Sequence, residues 1–573
     1  MSDTTATATL TPEFPRQYVD PDADFGSWET AEKYYRDLVE RPVESCEELE
    51  KWLLDISELD AVFGQEGTSR HIDMTCATDD PVRKQRHLDF LQNINPKRKP
   101  WAFKLEVRFV ELAKRFPLPP MRYKLLERSA RNAIELYREE NIPLQTEDDE
   151  LQQQFQETVG AMTCTYKNEE LTLQQLGRFL EEPDRPVREE TWRLGSDRFL
   201  QDCEKLDEIY DSMIERRGRI ARNAGCSGFA EYMFKAYERF DYSPDDCHAF
   251  RDAIEQVVVP AAGELARRRK EKLGLETLRP WDLAVDPDNR PPLRPFETPD
   301  ELTAGCSRIF HKVNPELGTV FDTLREQNSL DLDSRKGKAP GGYQATYEER
   351  RMPFIFMNAV GTESDVRTLL HEGGHAFHTW ACRHEPLMAY RHAPIEFCEV
   401  ASMGMECLSL PHVEEFYGDD ANRARKRFFE EIIQFFPWMA RVDGFQHYVY
   451  ANVGDSMETR KDHWQELTKR FAPHIDYSGL ETFDRHSWHR KLHFFEVPFY
   501  YVEYGIAQLG ALQVWMNARQ DREQAVALYR NGLALGGSRP LPELFEAAGC
   551  KFDFSEATLR PLVDAVMEEI DRG

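Results

Sequence analysis

The chain has 573 residues, of which 41% are hydrophobic, 31% charged and 12% aromatic. That balance excludes global disorder, and no run approaches the ~20 apolar residues of a membrane-spanning helix. The 73 Lys and Arg against 102 Asp and Glu leave a net charge of −29, which repels phosphate backbones and argues against nucleic-acid binding.

The first ten residues, Met1 to Leu10, carry no basic region followed by an apolar core, so they do not read as a secretory signal. Apolar residues then recur at helical spacing over 28–41, 45–63, 81–93, 103–115 and 123–140. Turn formers such as Pro117-Leu118-Pro119-Pro120 separate these segments. Around Thr163 the pattern changes to a short hairpin. We therefore divide the chain into an N-terminal helical region, 1–160, and a second region, 161–573. Helices are expected again over 187–225 and 244–273. Within the second of these, Arg267-Arg268-Arg269-Lys270 reads as a solvated face.

The proline-rich stretch 276–299 and the stretch 331–349 read as irregular. An apolar run from Met352 to Asn358 reads as a strand, and a helix is expected over 363–383. Helices continue to the end, with Gly536-Gly537 a break. There is no regular strand–helix alternation, so a parallel α/β sheet is not expected. The eleven cysteines are scattered, with no C-x-x-C pair. Free thiols without a signal point to a cytoplasmic protein.

The chemistry is concentrated in His371-Glu372-Gly373-Gly374-His375. Residues four apart share a helix face, so two imidazoles reach one metal, while Glu372 lies beside it as a base for water. Two consecutive glycines inside a helix are costly, which implies a close approach to the backbone there. Glu399 is the best candidate for a third ligand, in Glu396-Phe397-Cys398-Glu399. Glu406, two turns on, shares its face and suits a carboxylate that orients a ligand histidine. Glu396 reads equally as a solvated edge, and Asp365 as a charge at the helix N-terminus. Two imidazoles and a carboxylate suit one Zn²⁺ per chain, and the same set also admits cobalt or manganese. His489 and His493 are also four apart, but no acid is suitably placed between them, so a second metal site is the weaker reading. Tyr501 and Tyr504 share a helix face, either as core packing or as donors to an oxyanion.

On these residues the chain resembles the zinc metallopeptidases of the oligoendopeptidase F and thimet oligopeptidase family. The likeness lies in His371 to His378, in Phe397 to Ser402, and in His493 with Pro498 to Gly505. Weaker likenesses are Leu278 to Asp282 and Pro340 to Tyr343. The resemblance implies a mainly α fold, a two-lobed helical ellipsoid around a deep substrate channel, with a small β element lining the active site. It implies cleavage of internal bonds in short peptides. His371, His375 and Glu399 would hold zinc, Glu372 would be the general base, and Glu406 the supporting carboxylate. His493, Tyr501 and Tyr504 would bind substrate and the transition state. The strand at Met352–Asn358 would pair with substrate backbone. Many members carry a bulky residue where Gly373 stands. The rival readings are a helical zinc carboxypeptidase and a non-catalytic peptide-binding protein. The oligomeric state is not readable.

Overall fold

A computed structural model describes residues 13–572; the Met1–Leu10 segment lies outside them. The chain is mainly α with two small sheets. Helices Trp28–Glu40, Cys46–Cys76, Asn95–Arg115 and Pro120–Leu136 come first. The second runs well beyond residue 63, its expected end, and takes in Gly64 and Gly67. Both glycines stay helical because side chains need their space. A Cβ on Gly67 would lie 2.8 Å from the Phe90 ring, and one on Gly64 would lie 3.3 Å from Glu348.

Strands β1 (Thr163–Tyr166) and β2 (Glu169–Thr172) form the expected hairpin. Lys167 and Asn168 turn it with positive φ values of 52° and 65°, the conformation that two-residue hairpin loops require. The expected 187–225 helix is two, Arg185–Leu200 and Cys203–Asn223.

The 331–349 stretch is not irregular throughout. It holds β3 (Leu330–Asp333) and β4 (Tyr343–Tyr347), which flank β5 (Met352–Ala359). The sheet order is β3–β5–β4, with β3 parallel and β4 antiparallel to β5. Central β5 is therefore hydrogen-bonded on both sides. The expectation that it pairs with a substrate backbone is corrected: β4 lies at the edge. The following helix, Glu363–Cys382, is fixed at its start by a capping box between Thr362 and Asp365. The Asp365 carboxylate accepts from the Val360 and Thr362 amides at 2.9 and 2.8 Å.

The chain forms two compact units. One comprises Met1–Ile134, Arg294–Phe416 and Asn517–Cys550. In it the Glu363–Cys382 helix packs on β5 and on the helix Ile395–Ser409, whose Ala401 carbonyl accepts from Tyr529 Oη at 2.6 Å. The other comprises Glu135–Leu293, Tyr417–Met516 and Lys551–Gly573. In it helix Pro244–Lys272 packs along helix Ala421–Ala451, and Gly505 lets Met439 approach helix Val502–Gln520.

Candidate metal centre

The two glycines of the His371–His375 turn are explained by what they touch. A Cβ on Gly374 would lie 2.4 Å from the Ala401 carbonyl oxygen and 2.6 Å from Ser402 Cα. That absence of side chain brings the Ile395–Ser409 helix against the His371–His375 turn and carries Glu399 and Glu406 with it. A Cβ on Gly373 would lie 2.5 Å from Phe310, so the buried Phe310 ring fills the room a larger residue would take.

One ligand atom each from His371, His375 and Glu399 lie within 4.8 Å of one another. Glu399 Oε2 is 3.4 Å from His371 Nε2 and 3.8 Å from His375 Nε2. The far side of His371 is tied down: its Nδ1 donates to Glu406 Oε1 at 2.7 Å, and Arg367 Nε donates to Glu406 Oε2 at 2.7 Å. Hydrogen bonding at Nδ1 directs Nε2 toward a metal. Ser402 Oγ holds Glu399 Oε2 at 3.1 Å.

Burial pulls His375 down to about 4, which keeps its imidazole neutral. Burial would lower His371 as well, but its hydrogen bonds to Glu399 and Glu406 raise it instead. Burial would raise Glu399, yet the two histidines and Ser402 hold it near 2. An ionised carboxylate beside two imidazoles in a buried setting could hold a divalent cation. Glu372 is buried, and burial outweighs the pull of His371 and pushes its carboxyl up to about 7. The β4 backbone at Gln344 hydrogen-bonds its carboxyl. Glu396 is buried too, not at a solvated edge.

His493, Tyr501 and Tyr504 come together in the other unit. The His493 ring lies 4.8 Å from that of Tyr501 and 6.1 Å from that of Tyr504. Burial pushes the Tyr501 phenol up to about 12, and its oxygen accepts from Trp438 Nε1 at 3.1 Å. Lys491 Nζ lies 4.0 Å from the Tyr501 ring centroid, and burial lowers its ammonium to about 8. Burial and then Lys491 lower His493 to about 3, so its imidazole is neutral. The segment is held by two buried arginines. Arg217 donates to the Phe494 carbonyl at 2.9 Å and to that of Phe495; Arg239 donates to the Phe499 carbonyl at 2.7 Å. Phe499 has a φ of 66°, a strained value for a bulky residue. His489 Nε2 lies 2.9 Å from Asp207 Oδ1, and among the described residues neither His489 nor His493 falls in a group that could hold a metal ion. A further trio, Cys247, Asp443 and His447, has ligand-type side chains, but the Arg251 guanidinium already supplies its cation.

Arg367, Ser402, Trp438 and Lys491 were not anticipated. Arg367 had a signal: it lies one turn before His371 on the same face, where it reaches the same carboxylate.

Residues 178–563 match the model of Peptidase family M3. An oligoendopeptidase F homolog from Borreliella burgdorferi is 21% identical over 384 residues, 64% of this chain. The chain spans 62% of the length of that relative. The solved structure of PZ peptidase A with an inhibitor superposes with a TM-score of 0.86 at 28% identity, covering 97% of this chain and 99% of that one. Oligoendopeptidase-F from Enterococcus faecium, 14% identical, shares the fold with a TM-score of 0.61 over 95% of this chain.

Proposed function

The chain belongs to peptidase family M3, and from that premise we propose that it is a zinc-dependent oligoendopeptidase cutting internal bonds of short peptides. The observation that carries the reading is the convergence of His371, His375 and Glu399, with the proton-holding carboxyl of Glu372 at their side. The eleven free thiols suit a reducing, cytoplasmic setting.

When bound, the metal supplies Lewis acidity to a scissile carbonyl and to water. Glu372 takes the proton of the attacking water and delivers it to the leaving amine nitrogen, so its poise near neutrality serves both transfers. Glu406, braced by Arg367, holds His371 in one tautomer and orientation. Tyr501 Oη, kept protonated by burial, donates to the oxyanion, with Tyr504 and neutral His493 as further substrate contacts. β4, at the edge of its sheet, is the strand with which an extended peptide would pair.

The test is metal analysis combined with hydrolysis of an internally quenched peptide blocked at both ends. We expect one zinc per chain and internal cleavage that a chelator abolishes and zinc restores. Cleavage only of peptides with a free carboxylate makes it a carboxypeptidase instead. Zinc without any cleavage makes it a peptide-binding protein.

A further inference from the structure

The unit containing Tyr501 also encloses a cavity of about 500 Å³, within the range of small-ligand sites. Part of its wall is apolar, with Leu283 and Trp438 among the residues. Eight Arg and Lys side chains line it against five Asp and Glu, a local reversal of sign in a chain of net charge −29.

Most of these cations are matched. Arg423 pairs with Asp286 at 2.9 Å and Lys272 with Asp288 at 2.8 Å. Arg269 is not. Its Nη1 donates to the carbonyls of Val285 at 2.5 Å and Asp282 at 3.4 Å, both uncharged acceptors. Among the described residues, no carboxylate lies within the 4.0 Å of an ion pair with Arg269 or Lys426; the Glu430 carboxylate acts on both only at longer range. So the basic run at 267–270 is not wholly a solvated face. Arg267 and Arg268 pair with Glu264, whereas Arg269, which lines the cavity alongside Arg268, has no such pair. Burial lowers the Arg269 guanidinium and raises the Glu430 carboxyl in the same cavity. A guanidinium short of a counter-charge beside apolar surface is stabilised by an anion that brings one. The cavity also touches the Tyr501 hydroxyl indirectly. Trp438 lines it and donates its indole N–H to Tyr501 Oη at 3.1 Å.

We propose that this cavity binds a small amphipathic carboxylate, its charge on Arg269 and its apolar part against Trp438, and that occupancy alters the Trp438–Tyr501 hydrogen bond. The binding does not depend on the peptidase reading; its consequence for turnover does.

Isothermal titration of the metal-loaded protein tests binding without any activity. The probes are N-acetyl-L-phenylalanine and its uncharged amide. The carboxylate is expected to bind saturably, about tenfold or more tighter than the amide, as a charge-assisted contact demands. Arg269→Gln should weaken the carboxylate by about tenfold and leave the amide unchanged. Should Arg269→Gln fail to fold, Lys426→Gln on the more open wall takes its place, with a smaller loss expected in the same direction. No saturable heat up to ~10 mM, equal affinity for the amide, or unchanged affinity in both variants overturns the proposal, and Arg269 then only ties down the 282–285 loop. A kinetic arm with the doubly blocked peptide separates two sources of the carboxylate. A change in kcat identifies a free organic acid as the occupant. Purely competitive inhibition identifies the carboxylate end of a peptide.

Discussion

At the scale of single residues, the centre separates two carboxylates by environment. Glu399 is held ionised by imidazoles and Ser402, whereas at Glu372 burial outweighs the pull of His371 and of the Gln344 backbone and pushes it up to about 7. Glu406 acts through His371 and touches neither the water nor the peptide in our reading. Two variants distinguish these roles. Glu372→Gln should keep its zinc at wild-type stoichiometry and lose about 10²–10⁴ in turnover. Glu406→Ala should instead weaken zinc about 10–100-fold, with activity recovering as zinc is raised. Metal titration followed by a peptide assay reads both, and Glu372→Gln retaining wild-type turnover would remove Glu372 from the chemistry. Much of this centre was legible in the sequence, because helical spacing alone puts residues 371, 375 and 367 on one face. Tyr501's partner Trp438 was not, since a contact across 63 positions leaves no local periodicity.

At the scale of elements, the centre depends on how closely one helix lies on another. A Cβ on Gly374 would lie 2.4 Å from backbone of the Ile395–Ser409 helix, and backbone cannot rotate away. Gly373 faces the tip of a side chain, Phe310, which is buried but replaceable. Overpacking of this kind costs about 1–3 kcal/mol. Gly374→Ala should therefore lower the thermal midpoint and zinc affinity together, because Glu399 and Glu406 ride on the displaced helix. Gly373→Ala should lower the midpoint alone, and Phe310→Leu should restore it in the double variant. Rescue of Gly374→Ala by the same Phe310→Leu change would show that the two glycines do not act separately. The glycine pair announced a close approach, yet nothing in the sequence named Phe310 or Ala401. Strands β3 and β4 were missed for a related reason. Four- and five-residue segments rich in Asp and Thr, set among glycines and prolines, become strands only through β5, which supplies their hydrogen bonds.

At the scale of the whole molecule, the −29 charge is a surface property, whereas the buried charges of the Glu135–Leu293, Tyr417–Met516 and Lys551–Gly573 unit come largely in pairs. Asp148 meets Arg217, Glu503 meets Arg239, and Asp207 meets both Lys461 at 2.6 Å and His489 at 2.9 Å. Pairing decides which pH range matters. Burial alone would raise Asp207, but His489 and Lys461 outweigh it and hold the carboxyl below its usual range. A carboxylate lowered on folding contributes stability that is complete above its unfolded value, about 3.9, and is lost as pH falls through the folded value. The surface acts in the opposite sense. Lowering pH from 8 toward the isoelectric point near 5.1 removes self-repulsion. Denaturation midpoints should thus rise slightly or stay level from pH 8 to about 5, then fall steeply below about 4. Added salt should raise the midpoint at pH 8 and change it little near pH 5, because only exposed charges are screened. The paired variant Asp207→Asn with Lys461→Met removes one buried couple without leaving a lone charge. Its acid limb should be shallower than the wild type's between about pH 4 and 2.5, while its salt response at pH 8 stays the same. Equal acid slopes in the two proteins would mean that the acid limb comes from surface carboxylates and that the Asp207–Lys461 couple is energetically silent.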